Sequence, residues 1–278
     1  MKLGINGATM KPWPLEAQIA AASSAGFEGL EIWRDKVQEY LVEHEMTGLV
    51  DLFASHRIEP TTMCFVYLGY GDEQQAERLE TLREMVELAA GVGAGSIAVC
   101  AARNPPEGVS RAELLHLATA EAKIMAAIAA DQGVDLFLEP LGLHPVMPGP
   151  MEAMEIIEGV GSPNLKVLFD VFHYYRSDVS LEEIAATPVE RLGAIHVNDG
   201  EDAPREDPND FMRLYPTLGV LPAAEMLRIP RDQGFAGYVT VEVFRQEYWD
   251  NDPDLAVHSM KYLEALLAQV PWERGETK

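Results

Sequence analysis

The segment KVLFDVFHYYRSDVSLEEIAATPVERLGAIHVND, residues 166–199, carries the pattern on which the fold turns. An apolar run, KVLFD (166–170), closes on an acid, and a second, LGAIHVN (192–198), carries a histidine. Between them lies enough chain for a helix and its turns. Short apolar runs separated by helical lengths are the mark of βα units and so of a parallel sheet. Acids and histidine are costly inside such strands, so the points where a strand ends in one are informative.

Outward from this segment the same alternation runs through the chain. The other strand candidates are KLGIN (2–6), GLEIW (29–33), EPTTMCF (59–65), SIAVCA (96–101), VDLFLE (134–139) and YVTVEVF (238–244). Helix-compatible stretches such as PLEAQIAAASSAG (14–26), EQQAERLETLREMVELAAGVG (73–93) and RAELLHLATAEAKIMAAIAADQG (111–133) separate them, several ending in glycine. Eight parallel strands predict an α/β fold, a single (β/α)8 TIM barrel using residues 1–278 as one domain, a usual length for that architecture. An open doubly wound sheet would carry a Gly-rich phosphate loop after its first strand. The corresponding GINGATMKPW (4–13) has no such pattern, and GVGAGS (91–96) reads as a helix cap and turn.

The 278 residues include 21 Lys+Arg against 45 Asp+Glu, a formal charge of −24, with 47% hydrophobic residues. Such a balance repels phosphate backbones and anionic membrane surfaces, which excludes nucleic acid and peripheral membrane as expected partners. MKLGINGAT is too short in apolar residues for a secretory signal, and no run reaches the ~18 apolar residues of a membrane span. Cys64 and Cys100 lack CxxC spacing and read as small buried hydrophobes. A cytoplasmic location is the expectation. The aromatic stretches YLGYGDE (67–73) and QEYWDND (246–252) are candidate contacts for a homodimer.

Two long loops, LGLHPVMPGP (141–150) and DGEDAPREDPNDFMRLYPTLG (199–219), follow carboxyl ends of strands, where barrel sites are built. The same ends present Glu139, Asp170, His196 and Glu242 on four consecutive strands. In a closed barrel these side chains converge, and three carboxylates with one imidazole suit one divalent ion such as Mn, Mg, Co or Zn. The cation would also relieve repulsion among the carboxylates.

The combination LEP (138–140), FDVFH (169–173), HVND (196–199) and VEVF (241–244) resembles the xylose-isomerase-like family of metal-dependent sugar isomerases and epimerases. The tail from His196 to Trp249, with INGAT (5–9), LEIW (30–33) and LEPLGLHP (138–145), is most similar to that family's inosose (2-keto-myo-inositol) isomerase branch. The resemblance implies Glu139, Asp170, His196 and Glu242 as metal ligands and His173 as a substrate contact. Where that branch has a second acid after the strand-seven histidine, this chain reads Asn198-Asp199. Its Pro-Gly-x-Gly turn is here Pro216-Thr217-Leu218-Gly219, and its polar helix entry after strand five is Gly149-Pro150.

The expected chemistry is metal-assisted proton transfer through an enediolate of a keto sugar or keto-cyclitol. Glu139 and Glu242, three strands apart, would exchange the proton from different sides. Arg245, just after strand eight, is expected at the pocket rim, and Asn6, Glu31 and Trp33 on the far wall, with Trp33 facing sugar carbons and Glu31 equally readable as a structural ion pair. Arg205 is the loop arginine expected over the substrate, with Arg213 as the alternative, each equally readable as a solvated salt bridge. His144 is open between pocket and structure, while His44, His56, His116 and His258 read as surface residues. A lyase acting on a keto-cyclitol or keto-glycoside is the competing reaction, and a sugar-binding barrel without catalysis a third reading. A DNA-repair endonuclease of the same superfamily would need a histidine-rich zinc cluster and a basic face, which this chain lacks.

Overall fold

A computed structural model describes residues 1–207 and 209–272. Strands β1 (Lys2–Asn6), β2 (Gly29–Trp33), β3 (Glu59–Leu68), β4 (Ser96–Ala101), β5 (Asp135–Glu139), β6 (Leu165–Asp170), β7 (Leu192–Val197) and β10 (Tyr238–Val241) form a closed barrel. All neighbours pair in parallel, and β1 closes the ring against β10. Helices α1 (Leu15–Ala25), α3 (Met46–His56), α4 (Gln75–Val92), α5 (Arg111–Ala130), α6 (Pro150–Val160), α9 (Ala223–Asp232) and α11 (Leu255–Gln269) make up most of the surrounding layer.

Strand side chains alternate between two faces, and that alternation builds the site. Ile97, Val99, Leu136, Leu138, Val167, Phe169, Ile195 and Val197 point outward into the main core beneath the helices. Their neighbours Ala98, Phe137, Leu168 and Ala194 join Cys64 in a separate inner cluster. Two residues further along, the same inward face presents Cys100, Glu139, Asp170 and His196. The polar layer therefore rests on an apolar plug. Register fixes it laterally, with Asn6 beside Glu31, Cys100 beside Glu139 and Asp170 beside His196.

Strand bounds differ from expectation by more than one residue in two places. β3 continues to Leu68 because a register shift between Met63 and Val66 lets it keep pairing with β4. The last barrel strand leaves the ladder early: the Glu242 N–H still donates to Val197 O (3.1 Å), but that of Val243 donates to Thr9 Oγ1 (3.0 Å).

The 199–219 loop contains structure of its own. β8 (Asp199–Gly200) and β9 (Arg213–Leu214) pair antiparallel, with Gly200 opposite Arg213. A Cβ at Gly219 would lie 2.0 Å from Gly200 O, so the return crossing of this loop admits only glycine. Thr217 in the same turn has φ +74°, a left-handed conformation unfavourable for a β-branched residue. The aromatic stretches expected at a dimer contact are mostly engaged within the chain. Tyr70 is buried, Tyr248 stacks on Tyr215 at 4.4 Å, and the Trp249 indole donates to Ala8 O. No described helix is long and apolar enough to cross a membrane.

Candidate active site

At the carboxyl end of the barrel a cavity of about 240 Å³ is bounded by Glu139, His173, His196, Arg213, Glu242 and Trp33, among others. Asp170 is wholly buried beneath it. One potential ligand atom from each of Glu139, Asp170, His196 and Glu242 falls in a group spanning no more than 4.8 Å. The four strand-end residues thus converge as their positions require.

His196 is the pivot. Its Nε2 lies 2.8 Å from Glu31 Oε2, while Nδ1 faces Glu242 Oε2 at 3.2 Å and Glu139 and Asp170 oxygens at 3.7 Å. When Nε2 carries the proton toward Glu31, Nδ1 presents a lone pair toward three carboxylates. A cation among these donors resolves that conflict, and a histidine whose second nitrogen is held by a carboxylate is the usual support for a metal ligand. The residues therefore fit a divalent ion with mixed oxygen and nitrogen donors. Without that ion, burial disfavours a charged ring, but Glu31 and Glu242 outweigh it and raise the His196 pKa well above its ordinary value.

Asp170 has two tasks. Its Oδ1 accepts from the Phe172 and His173 N–H groups at 2.7 and 3.1 Å, capping the short helix α7 (Val171–Arg176) that carries His173 to the cavity. Its Oδ2 accepts from Arg213 Nη1 (2.7 Å). Burial alone would raise the Asp170 pKa, yet the charge of Arg213 holds it well below the ordinary carboxylate range. Arg213 also donates to Glu242 (2.8 Å) and approaches His173 Nε2 at 3.0 Å, with its guanidinium between the Phe172 and Phe244 rings.

The remaining candidates separate clearly. Trp33 lines the cavity. Asn6 lies under its wall with both ends of the amide engaged: Oδ1 accepts from Ala8 N and Trp33 Nε1, and Nδ2 donates to Glu31 (2.8 Å) and Glu242 (3.0 Å). This makes Asn6 a support in place of the expected substrate contact. Arg205 lies outside the cavity lining, paired with Asp178 and placed over Tyr175. Arg245 also lies outside it, bonded to Glu201 (2.7 Å) and Glu247 (3.0 Å). Between the two loop arginines, the cavity receives Arg213. The sequence hint was its place between apolar Met212 and Leu214, a strand-like setting, whereas Arg205 follows Pro204 among acids.

Cys64 and Cys100 line the cavity as buried thiols, with Cys100 Sγ donating to Glu139 Oε2 at 3.4 Å. Burial and the neighbouring Glu139 charge push the Cys100 pKa far up. His144 is structural: Nδ1 accepts from the Val146 and Met147 N–H groups, and Nε2 reaches Ala102 O at 3.1 Å. Burial lowers its pKa.

The chain is 27% identical over 267 residues to inosose isomerase of Halalkalibacterium halodurans, covering 94% of each. It is 24% identical to fructoselysine 3-epimerase of Shigella flexneri, covering 98% and 99% of the two chains. The solved structure of the IolI protein with a bound zinc atom superposes with a TM-score of 0.91 at 24% identity, covering 97% of this chain and 99% of that one. A family model described as xylose isomerase-like TIM barrel matches residues 19–266. The strand-end acids, the closed parallel ring and that match place this chain in the xylose isomerase-like TIM barrel family.

Proposed function

We propose that the protein is a divalent-metal-dependent isomerase or epimerase of a keto sugar or keto-cyclitol, working by proton transfer at the carbon beside the carbonyl. The observation carrying this reading is the buried convergence of Glu139, Asp170, His196 and Glu242, with His196 backed by Glu31. The names of the inosose isomerase and fructoselysine epimerase relatives agree with it, as does the zinc in the IolI structure.

Glu139, Asp170, His196 and Glu242 would hold the ion. A divalent ion there supplies Lewis acidity to a carbonyl oxygen. The two glutamates are prepared differently for acid/base work. Both Glu242 oxygens accept strong donors, one from Asn6 and one from Arg213, which occupies lone pairs that could otherwise meet a substrate proton. Among the described residues Glu139 accepts only a weak thiol donor, from Cys100, and so keeps lone pairs directed at the cavity. Glu139 is therefore the better placed to take the proton from carbon and, as the carboxylic acid so formed, to give it to the neighbouring carbon, while Glu242 would serve as a ligand of the ion. Arg213 and His173 stand together at 3.0 Å, ready to hydrogen-bond substrate oxygens, and Trp33 supplies an apolar wall.

Incubation with inososes and ketohexoses in deuterated water, with manganese added, should place deuterium beside the carbonyl. Glu242→Gln and His196→Ala should lose bound metal and exchange together. Unchanged metal content in both variants would remove the assignment of the ligands. Loss of water or of a glycosyl leaving group in place of exchange would assign the lyase reaction instead.

A further inference from the structure

Beside the 240 Å³ cavity runs a second space of about 1070 Å³, bounded by the start of α2 (Arg34–Leu41), upper β3, the first turns of α4 and the loop after β4. Trp33, Cys64, Phe65, Tyr67 and Arg103 line both, so the two spaces adjoin along these residues. Sites that bury a drug-sized ligand occupy roughly 300–1,000 Å³. The inner cavity falls below that range and suits one sugar ring, while the groove reaches its upper end. A free monosaccharide or cyclitol at the Glu139/His196 cluster would leave the larger space unused.

The groove has a built wall. Trp33 meets Phe65 edge to face at 5.8 Å, and Phe65 meets Tyr67 in the same manner at 5.1 Å. These rings run from the cluster outward to Tyr67, which is 38% exposed. The Trp33 indole is pinned by its bond to Asn6 Oδ1 (2.8 Å). Aromatic faces of fixed orientation suit the apolar faces of flat ligand rings. The charges disfavour an anion: Arg78 is taken by Asp72 and Glu121, Arg34 by Glu84 and Arg103 by Asp210. Among the described residues, the groove acids Asp35, Glu73 and Glu77 have no ion-pair partner.

We propose that this groove is a subsite for a second, uncharged ring carried by the substrate. The protein then acts on a keto-sugar glycoside, with the reacting ring at the inner cluster and the appended sugar or aryl ring along Trp33, Phe65 and Tyr67. This substrate class rests on the proton-transfer reading above, but the groove can be tested by binding alone. Calorimetric titration of the protein, with manganese added, would compare 3-keto-glucose with its phenyl and its glucosyl β-glycosides. At least one glycoside should bind tenfold or more tightly than the free keto sugar, and the stronger of the two identifies the appended ring. Thr81→Trp on the α4 wall and Asn104→Trp on the opposite wall should each abolish that advantage while leaving the affinity for the free keto sugar unchanged. Equal affinities in the unaltered protein, including absence of binding by all three, would overturn the proposal. So would an advantage that survives both blocking variants. A groove-dependent preference without deuterium exchange would retain the subsite and remove the reaction; exchange of free keto sugars without the preference would do the reverse.

Discussion

Glu31 touches no cavity surface, yet it decides what His196 can offer. Its Oε2 holds one ring nitrogen at 2.8 Å and also accepts from Asn6, so orientation and tautomer are set from below. Glu31→Gln keeps a similar shape but removes the charge that favours the Nε2 proton. Metal affinity should fall roughly 10- to 100-fold, the usual effect of losing such a supporting carboxylate. A metal titration read beside the metal-free melting curve separates this from a folding defect, and an unchanged affinity would refute the role. Thr217 makes the opposite kind of prediction. Left-handed backbone costs a non-glycine residue about 1–2 kcal/mol, part of which glycine's greater unfolded freedom offsets. Thr217→Gly should therefore stabilise the protein by up to about 1 kcal/mol, visible as a higher urea midpoint at an unchanged slope. A lower midpoint would show that the threonine side chain contributes more than its backbone loses.

At the scale of elements, α4 and α5 are joined by a buried ion pair that also shapes the loop leaving β3. Arg78 Nε and Nη2 donate to the two Glu121 oxygens at 2.7 and 2.8 Å, and the Gly69 and Gly71 N–H groups donate to the same carboxylate. A Cβ at Gly69 would fall 1.8 Å from the Arg78 guanidinium, which explains glycine there. Removing one partner of a buried pair leaves an uncompensated charge, so Glu121→Ala should cost about 3–5 kcal/mol. The double variant Glu121→Leu/Arg78→Met should recover part of that loss, and urea denaturation of both tests the coupling. The elements themselves were largely legible in the sequence. All eight barrel strands announce themselves as apolar runs, because both faces of a parallel barrel strand are covered. Their ends were less so: Val243 belongs to the same apolar run but turns to bond Thr9, a partner more than two hundred residues away. The four acid and histidine strand ends were readable for the same reason that they converge, since each interrupts an apolar strand. Only its apolar neighbours Met212 and Leu214 set Arg213 apart from Arg205 in the sequence, because the pairing of β8 with β9 that carries it inward depends on contacts made only after the barrel closes.

Across the whole molecule the acidic balance becomes a statement about pH. Burial raises the pKa values of Glu59, Asp72 and Asp252, but their hydrogen-bond partners more than compensate: Lys2 and Tyr238 for the first, Arg78 and the Gln74 N–H for the second, His258 and the Asp254 N–H for the third. All three are therefore lowered in the folded state. Groups of this kind contribute stability that is fully present above their unfolded values, near pH 4, and lost as pH falls through their folded ones. The urea midpoint should decline below about pH 4 and change little from these groups between pH 5 and 7. A midpoint that rises on acidification to pH 3 would contradict this, and would mean that relief of repulsion within a chain of charge −24 dominates.

The loop bearing Arg213 is fastened at both ends. Asp199 Oδ1 accepts from the Gly200 and Leu221 N–H groups, and Tyr215, stacked between Tyr248 and Tyr262, donates to Asp252. A strap tied at both feet cannot swing open like a door. It can only arch. Between those ties Phe211, half exposed and edge-on to Trp249, lines the cavity together with Arg213, so both are held by the same fastenings.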